Sequence, residues 1–482
     1  MTTNGGINGA PSRPPTGIKV IVVGAGFGGL GAAIECHRQG HDVEIYEAFP
    51  ELKQLGDIIS FGPNAGRIFY RWSNGEIVRR MRPLSIDLRK YGFNIHKYDT
   101  GEIVINQATP EYSVEAPNFN GHRGELHEVV FSYAKHDLGI PIHLGNRIST
   151  YFEDETASGI VLESGVKKRY QPTLSSLRMV SDLELENRFW ATKTSRKAAD
   201  TQCGEPGIPF RSPFVPNARR LELIGSDRFP NKDMIADPLT AQYCESGDTF
   251  NGWIGPDMHF RELQRTLPAR VRLASAIWRN AKREAKVFST IKDGSDCCWV
   301  LTHPDEHDID ESWSFPGKLS EVKEAIKDWD PMCTRIVSKT PEEVLVDWKL
   351  VYRDPLPTWV SPRGRIVLVG DSAHPFLPTS AQGATQALED GVCIAVCLRK
   401  GGKENVPVSV RAHEKIRYDR VRATQKTGES TRDMWHKTDW DKVKKDPEII
   451  QFPRQDWIFD FDAEKNAEEM YDEVVKGLSE AV

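Results

Sequence analysis

The chain has 482 residues, which at roughly 150 residues per domain allows about three domains, or one large domain with an insertion. Hydrophobic residues make up 39% and charged residues 27%, and 63 basic against 69 acidic side chains give a net charge of −6. These values are typical of a globular chain with a core, and they exclude collagen and disordered chains. The slight acidity gives no reason to bind nucleic acid, and no run of ~18 apolar residues predicts a transmembrane helix.

The chain ends and the cysteines indicate an intracellular protein. Residues 1–17 are rich in Gly, Asn, Pro and Thr and have no apolar centre, so we expect a flexible tail rather than a secretory signal. None of the eight cysteines belongs to a C-x-x-C or zinc pattern. We therefore expect buried thiols in a reducing compartment and a cytoplasmic location.

A β-α-β unit is predicted near the N-terminus. Residues 18–23 form an apolar run typical of a buried strand, residues 30–38 have helical character, and residues 42–46 read as a second strand. Between the first strand and the helix stands Gly24-Ala25-Gly26-Phe27-Gly28-Gly29. This segment matches the G-x-G-x-x-G pattern of dinucleotide-binding proteins.

Each element of this pattern has a physical role. Gly24 permits a tight turn, Gly26 lets a pyrophosphate approach the backbone, and Gly29 lets the helix pack closely on the strand. The phosphates would lie at the helix N-terminus, where free N–H groups and the dipole favour anions. Glu47 ends the second strand and could accept hydrogen bonds from ribose hydroxyls. The alternative is a structural turn with Glu47 on a solvated strand end.

A second motif distinguishes a flavin from a nicotinamide nucleotide. Residues 366–369 predict another buried strand, which ends at Gly370-Asp371-Ser372-Ala373-His374-Pro375, and residues 385–398 predict a helix. Asp371 is placed to accept hydrogen bonds from a ribityl chain. The helix that opens near Gln382 would aim its positive end at a flavin pyrimidine ring and stabilise negative charge there.

With both motifs in place, the chain resembles the FAD-dependent aromatic hydroxylases, the single-component flavoprotein monooxygenases of the salicylate-hydroxylase type, and especially the fungal members of secondary metabolism. The family pattern G-D-A-A-H-x-x-x-P-x-x-G-Q-G corresponds to residues 370–383. Ser372 replaces an Ala, Ala381 replaces a Gly, and Thr385 stands where many members carry Asn. These exchanges between small residues should leave FAD binding intact.

The resemblance implies further cofactor contacts. Besides Gly24, Gly26, Gly29 and Glu47, it assigns to FAD the residues Gly370, Asp371, Pro378, Gly383 and Ala384. Arg123 would contact the cofactor from the start of a helix, with a surface salt bridge as the alternative. Ser60 would contact it from the loop around residues 56–65, with an ordinary turn as the alternative.

The resemblance also implies the architecture, an α/β fold with a discontinuous Rossmann-like FAD-binding domain, an inserted mixed-sheet substrate domain and a helical C-terminal region. After the tail at residues 1–17, we assign residues 18–75, 110–205 and 355–402 to the FAD domain. Residues 76–109 and 206–354 would form the substrate domain, and residues 403–482 the C-terminal region.

The family mechanism implies NADPH or NADH as reductant and O2 as co-substrate. The reduced FAD forms a C4a-hydroperoxide, which hydroxylates an electron-rich ring of an aromatic, polyketide-like or indole-type metabolite. The cofactor carries the chemistry, so we name no catalytic side chain. We expect no metal site, because His303 to His307 read as an exposed loop, and we expect His374 to be structural. The basic stretch of residues 411–422 predicts a solvated helix face. The sequence gives no oligomeric state.

One family motif is missing. The family carries an Asp-Gly segment after a strand near mid-chain, but residues 165–216 show no such motif and no convincing strand. Codons can be chosen for Arg178-Met179-Val180-Ser181 so that a shift of one nucleotide gives Ala-Asp-Gly-Val. We therefore hypothesise that residues 167–210 are translated out of frame, and that residues 263–286 are a basic helical insertion from a retained intron.

Two other functions stay open at this point. A chain without the Asp-Gly motif could be a catalytically impaired pseudoenzyme that keeps the fold. A flavin oxidase or dehydrogenase without oxygen insertion would share the dinucleotide fold, although His374-Pro375 together with Gln382-Gly383 argues against it.

Overall fold

The structure, a computed structural model, describes most of the chain outside one long central segment. The described residues are 13–52, 58–154, 158–170, 176–180, 250–259, 275–279, 285–291, 296–304, 315–340, 345–349, 354–437, 439–452 and 454–480.

Strands and α-helices alternate in the N-terminal part, and helices dominate after residue 383. The strands are β1 (Lys19–Val23), β2 (Asp42–Tyr46), β3 (Ile58–Phe61), β4 (Phe93–Lys97), β5 (Ile103–Gln107), β6 (Phe119–His122), β7 (Ile142–His143), β8 (Ile148–Glu153), β9 (Ser158–Leu162), β10 (Lys167–Tyr170), β11 (Ser176–Val180), β12 (Phe250–His259), β13 (Ser275–Arg279), β14 (Ala285–Ile291), β15 (Asp296–Pro304), β16 (Phe315–Pro316), β17 (Val346–Lys349) and β18 (Ile366–Leu368). The helices are α1 (Phe27–Arg38), α2 (Pro63–Arg71), α3 (Glu76–Met81), α4 (Leu88–Tyr91), α5 (Arg123–Ser132), α6 (Leu319–Ala325), α7 (Pro331–Val337), α8 (Gly383–Gly401), α9 (Val406–Lys437), α10 (Trp440–Val443), α11 (Asp456–Phe459) and α12 (Ala463–Glu480).

A five-stranded parallel sheet carries the predicted β-α-β unit. Its order is β18-β11-β1-β2-β7, and all neighbouring strands run parallel. Four of the five residues of β1 are buried, as expected for a strand covered on both faces. Because β1 and β18 are parallel, the loops that follow them lie at the same edge of the sheet, where ligands of such folds bind.

The strand β11 corrects one sequence prediction. We expected no strand in residues 165–216, but Ser176–Val180 pairs in parallel with β1 on one side and with β18 on the other. The chain as given therefore supplies the strand of this sheet that was thought to be missing. Residues 181–210, the larger part of the region proposed to be out of frame, lie outside the described residues.

An eight-stranded mixed sheet forms the second layer, in the order β16-β17-β12-β15-β14-β13-β4-β5. Here β13 pairs in parallel with β4 and antiparallel with β14. The prediction of a helical insertion over residues 263–286 is thus wrong for residues 275–279 and 285–286, which are strand residues inside the sheet. Residues 263–274 and 280–284 are outside the described part.

The two faces of this sheet have different neighbours. Trp299 and Leu301 of β15 are fully buried in a cluster with Val322 of α6 and Ile336 of α7, whereas the alternate residues Val300 and Thr302 are half-buried. Side chains alternate along a strand, so Val300 and Thr302 belong to the face away from α6 and α7. Two small antiparallel sheets, β10-β9-β8 and β3-β6, complete the strand pairing.

The C-terminal region is helical, and it is more closely integrated than the sequence suggested. Helix α9 packs on α8, and α12 packs on both. The prediction of a solvated basic face over residues 411–422 is wrong at its centre, because the side chain of Arg417 is 1% exposed. Among the described residues, no helix combines the length and hydropathy needed to cross a membrane.

Two smaller observations concern the ends and the cysteines. Thr16 donates its backbone N–H to the carbonyl of Gly40 at 2.9 Å, so the chain is already fixed at this point. Residues 1–12 lie outside the described residues. Cys36, Cys333, Cys393 and Cys397 are buried thiols outside any disulfide bond, as predicted.

Candidate functional site

The first loop, residues 24–29, lies between β1 and α1. Gly24 has φ of 93°, a left-handed conformation that favours glycine, and its N–H bonds to the carbonyl of Tyr46 at 2.8 Å. Gly26 is the N-cap of α1, no side chain caps this helix, and no acidic residue stands in its first turn. A Cβ on Gly26 would meet nothing within 4 Å. The loop therefore presents helix N–H groups to open space, which suits a pyrophosphate.

Two side chains from other elements hold the first loop. Glu47, just after β2, accepts the N–H of Ala25 at 2.7 Å through Oε2 and the N–H of Phe49 at 2.9 Å through Oε1. His127 of α5 lies with Nε2 2.6 Å from the carbonyl oxygen of Ala25. Burial lowers the pKa of His127 to about 4, so the neutral ring donates through Nε2. Glu47 stands at the predicted place, whereas His127 was not predicted.

The second loop, residues 370–383, lies between β18 and α8. Gly370 has φ of 61°, and the exposed Asp371 points toward the start of α8, with Oδ1 4.0 Å from where a Cβ on Gly383 would lie. Pro378 opens a 3-10 turn that ends at Ala381, and Ala384 is half-buried against the core in the first turn of α8. Helix α8 also lacks a side-chain cap and an acidic first turn.

Glycines bring the two loops together. Gly391 of α8 lies so close to α1 that a Cβ on it would be 2.7 Å from the backbone of Ala32, and a Cβ on Gly31 would be 2.4 Å from Leu388. The two helices therefore pack at backbone contact, and both begin at the carboxyl edge of the parallel sheet. Two positive helix ends thus face one region, which favours an extended anion.

Ser60 and Arg123 lie on connected elements beside these loops. Ser60 of β3 donates its hydroxyl to Oδ1 of Asn120 of β6 at 2.6 Å. The strand β6 leads directly into α5, whose first residue is Arg123, with an exposed side chain. Arg123 thus begins a helix as the resemblance implied, and α5 touches the first loop through His127.

Unsatisfied polar atoms beside the second loop fit a polar ligand. Asn64 of α2 donates to Gln382 at 3.1 Å and to Glu389 at 2.8 Å. Its Oδ1 and the Oγ1 of Thr385 are buried and have no hydrogen-bond partner within the described part of the chain. Since buried polar atoms are normally paired, these atoms, the open first loop and the two uncapped helices fit a flavin dinucleotide.

A buried charged cluster lies behind the second loop and consists of Glu389, Asp390, Arg417 and Arg420, with His374 at its edge. All except Arg420 are at most 1% exposed. Burial alone would raise the pKa of Asp390, but His374 and Arg417 hold that pKa well below its usual value. His374, which was predicted to be structural, is fully buried, and its Nε2 lies 2.6 Å from Asp390.

Sequence reasoning missed Asn64, His127, Asp390 and Arg417, whose partners are distant in sequence. It also misplaced His303, which is 8% exposed in β15 instead of on an exposed loop. Residues 305–314 are not described. In the described residues, no group of three or more His, Cys, Asp or Glu side chains is placed to hold a metal ion.

Comparison with known proteins supports this reading of the loops. Residues 22–52 match the family model of an NAD(P)-binding Rossmann-like domain. FAD-dependent monooxygenase nanF of Aspergillus nanangensis is 30% identical over 100% of this chain and 95% of its own length. Asperlicin C monooxygenase of Petromyces alliaceus is 29% identical over 97% of this chain and 91% of its own length.

A solved structure extends the likeness to three dimensions. CtdE in complex with FAD and substrate 4 has a TM-score of 0.74 and 28% identity, covering 96% of this chain and 100% of CtdE. The proteins that match this chain along nearly its whole length thus include named monooxygenases, one of them FAD-dependent, and a solved structure with bound FAD. FAD is accordingly its cofactor, and the chain belongs to the FAD-dependent monooxygenases of fungal secondary metabolism.

Proposed function

We propose that this monooxygenase uses NADPH or NADH and O2 to hydroxylate an aromatic, polyketide-like or indole-type secondary metabolite. The observation that carries the proposal is the convergence of two uncapped helix N-termini, α1 and α8, at one edge of the parallel sheet. When bound, FAD supplies hydride acceptance and oxygen activation. Residues of the chain itself would bind and orient the cofactor and the substrate and exclude water.

We assign the adenosine diphosphate half of FAD to the first loop. Gly24, Gly26 and Gly29 would hold the pyrophosphate at the start of α1, and Glu47 would accept the ribose hydroxyls. Its carboxylate already fixes Ala25, so one side chain would both shape the loop and bind the sugar. Arg123 and Ser60, on elements joined to this loop through α5 and β6, would contact the cofactor farther along.

We assign the flavin half to the second loop. Asp371 would accept hydrogen bonds from the ribityl chain, while Gly370, Pro378, Gly383 and Ala384 form the surrounding backbone. The N-terminus of α8 would stabilise negative charge on the reduced ring, because its dipole and free N–H groups are aimed at this loop. A preorganised donor of this kind costs no reorganisation during the reaction.

We place the substrate between the FAD domain and the eight-stranded sheet, on the face that carries Val300 and Thr302. Successive register pairs place Ile95 of β4 on this face as well, through Ile95↔Ile277, Ile277↔Val287 and Val287↔Val300. Ile95 is fully buried there against Val443 and Ile450 of the C-terminal region, so that region covers part of this face, and the half-buried Val300 offers the apolar surface that favours an aromatic substrate and excludes water. The relative from Petromyces alliaceus is named for asperlicin C as its substrate, which supports a fungal metabolite as the substrate of this chain.

The decisive experiment uses the purified full chain. We expect a yellow protein whose visible flavin absorbance is bleached anaerobically by NADPH or NADH. We also expect one atom of labelled O2 in the product of an aromatic metabolite. A yellow protein that neither reductant bleaches would indicate the impaired pseudoenzyme. Bleaching followed by hydrogen peroxide without label in any product would indicate an oxidase.

Translation of residues 167–210 out of frame, our explanation for the missing Asp-Gly motif, is a hypothesis. Sequencing of the cDNA across this stretch tests it directly. A transcript that confirms the given frame, in an enzyme that still oxidises NADPH, would show that the motif is dispensable here. The buried thiols outside any disulfide bond support our proposal of a reducing, cytoplasmic location.

A further inference from the structure

Asp390 ties together the two ends of the turn that carries Asp371. Its Oδ2 accepts the backbone N–H of Gly370 at 2.9 Å and lies 2.6 Å from Nε2 of His374. A carboxylate only accepts, so the His374 ring must donate through Nε2. The residue before Asp371 and the histidine three residues after it are therefore both fixed by one buried carboxylate on α8.

Arg417 fixes that carboxylate in turn. Its Nε donates to Oδ1 of Asp390 at 2.9 Å, Nη1 donates to Glu389 at 2.7 Å, and Nη2 donates to the side-chain oxygen of Gln386 at 2.7 Å. Arg420 pairs with the same Glu389 at 2.8 Å. Two carboxylates thus face two guanidinium groups, so the cluster is balanced in charge when His374 is neutral.

Two successive turns near the start of α8 are thereby held by one arginine of α9, through Gln386 on one turn and Glu389 and Asp390 on the next. Asn64 adds a contact from α2 to Gln382 and Glu389. The charged side chains of the cluster are at most 10% exposed. The planar guanidinium group of an arginine can make several such contacts at once, whereas the ammonium group of a lysine cannot make them in the same plane. The cluster therefore has the geometry to fix the direction of the α8 N-terminus and the position of Asp371 together.

We propose that Asp390 and Arg417 are positioning residues for the flavin half of FAD. They hold the second loop and the α8 N-terminus in the binding geometry without touching the cofactor. This inference rests on the proposed contact between residues 370–383 and the flavin half. It implies that loss of either residue weakens FAD binding but spares adenosine nucleotides, which use the first loop.

The test compares FAD with ADP as ligands of the full chain freed of FAD. In Asp390→Asn, the side-chain NH2 group must face one of the donors that the Asp390 carboxylate now accepts from, which are Gly370, His374 and Arg417. In Arg417→Gln, the planar guanidinium group that contacts Asp390 and its neighbours is lost. For both we expect the Kd for FAD to rise at least about tenfold, while the Kd for ADP stays within about twofold. Arg417→Lys keeps the charge but not the planar group, and we expect an intermediate rise.

The matched control is Arg422→Gln on the same helix, because Arg422 pairs with Asp354 and Glu429 at 30% exposure, away from the cluster. It should bind both ligands as the parent chain does. Equal losses of FAD and ADP affinity in the cluster variants would indicate general damage to the fold and would overturn the inference. Unchanged FAD affinity would overturn it as well.

A further readout separates this inference from the proposed cofactor contacts. A parent chain that binds ADP but no FAD would overturn both. If Asp390→Asn fails to fold, Arg417→Lys is assayed alone, together with the midpoint potential of its bound flavin. A misaligned α8 dipole should make the reduced flavin less stable and shift that potential downward. A potential and a Kd equal to those of the parent chain would refute the positioning role.

Discussion

The first and second loops each follow a strand of the same parallel sheet, yet different kinds of side-chain contact hold them in place. Ala25 of the first loop is fixed by Glu47 and His127, two partly exposed side chains at the rim of the site. The second loop is fixed from behind by Asp390 and Arg417, which are buried and paired. The first loop thus uses residues that can also meet the ligand, whereas the second separates support from binding.

The two loops differ in the number of supporting contacts that they need. A loop that binds through backbone N–H groups needs few supporting contacts, because the helix itself fixes those groups. On the assignment proposed above, the second loop must position the Asp371 carboxylate and the α8 N-terminus relative to the flavin ring, and this requires several constraints at once. The buried cluster supplies them, at the desolvation cost that any buried ion pair carries.

The largest expected effect comes from breaking the contact shared by both loops. In Gly391→Val, the new Cβ would lie 2.7 Å from the backbone of Ala32, which cannot yield as a side chain would. We expect unfolding free energy to fall by about 3 kcal/mol and both FAD and ADP binding to be lost. Gly477→Ala on α12, where a Cβ meets nothing within 4 Å, is the control: it should keep both ligands bound and raise the unfolding free energy by at most about 1 kcal/mol in denaturant titrations.

Prediction from sequence succeeded for the first loop because its signals are local. The apolar run of β1, the glycine spacing and Glu47 lie within one β-α-β unit. Arg417 could not be recognised, since its partners Glu389 and Asp390 lie on another helix and a basic helix usually faces solvent. The strand β11 was missed because pairing on both sides, rather than intrinsic propensity, stabilises it.

Two histidines, His127 beside the first loop and His41 against the carbonyl of Ala395 in α8, should respond to acid in a different pH range from the buried charged cluster. Burial lowers the pKa of His41 from 6.5 to about 4, and that of His127 likewise. The unfolded chain therefore binds these protons first, and stability falls as the pH drops from about 6.5 toward 4, by up to about 3 kcal/mol for the fully buried His41. Glu389 and Asp390 have lowered pKa values, so their contribution is lost only at still lower pH.

Urea titrations between pH 7.5 and 4.5 measure this separation. His41→Asn should flatten the decline between pH 6.5 and 4.5, because it removes one proton uptake on unfolding. His127→Gln should flatten it by a similar amount, since the pKa of that ring is also lowered to about 4. A parent chain whose unfolding free energy is constant over this range would contradict the assignment of both histidines as neutral in the folded state.

Glu47 offers the counterpart to the Asp390 experiment. Both of its oxygens accept a backbone N–H, from Ala25 and Phe49, and the amide nitrogen of glutamine cannot accept either. We expect Glu47→Gln to weaken ADP and FAD binding alike by about tenfold, whereas Asp390→Asn should affect FAD alone. Glu51→Gln, at an exposed position nearby, serves as the control. A variant that loses only FAD affinity would erase the distinction between the two loops.

Replacement of Arg123 should have a smaller effect, which lowers FAD affinity but does not lower the stability of the FAD-free protein. It is the first residue of α5, and a cation at a helix N-terminus is unfavourable by about 0.3–1 kcal/mol. Arg123→Ala should therefore leave the FAD-free protein as stable or slightly more stable, while FAD affinity falls about fivefold. Arg79→Ala, at a side chain 75% exposed, should change neither quantity. Unaltered FAD affinity in Arg123→Ala would remove this residue from the cofactor site.

The smallest effect concerns how each loop accommodates a left-handed residue. The first loop places Gly24 at φ of 93°, whereas the second places Ala381 at φ of 51°. For alanine this conformation costs roughly 1–2 kcal/mol, and replacing it by glycine returns about 0.4–1 kcal/mol of unfolded-state entropy against folding. Ala381→Gly should thus raise the unfolding free energy by about 0.5 kcal/mol, and Ala381→Val should lower it, since a β-branched side chain tolerates this φ less well.

By the same reasoning, Gly24→Ala should lower the unfolding free energy, because the strain of a left-handed alanine is only partly offset by the lower entropy of the unfolded chain. Urea midpoints of the three variants, measured without FAD, test whether the strain at Ala381 is intrinsic to the loop, and equal midpoints for Ala381→Gly and Ala381→Val would show that it is not.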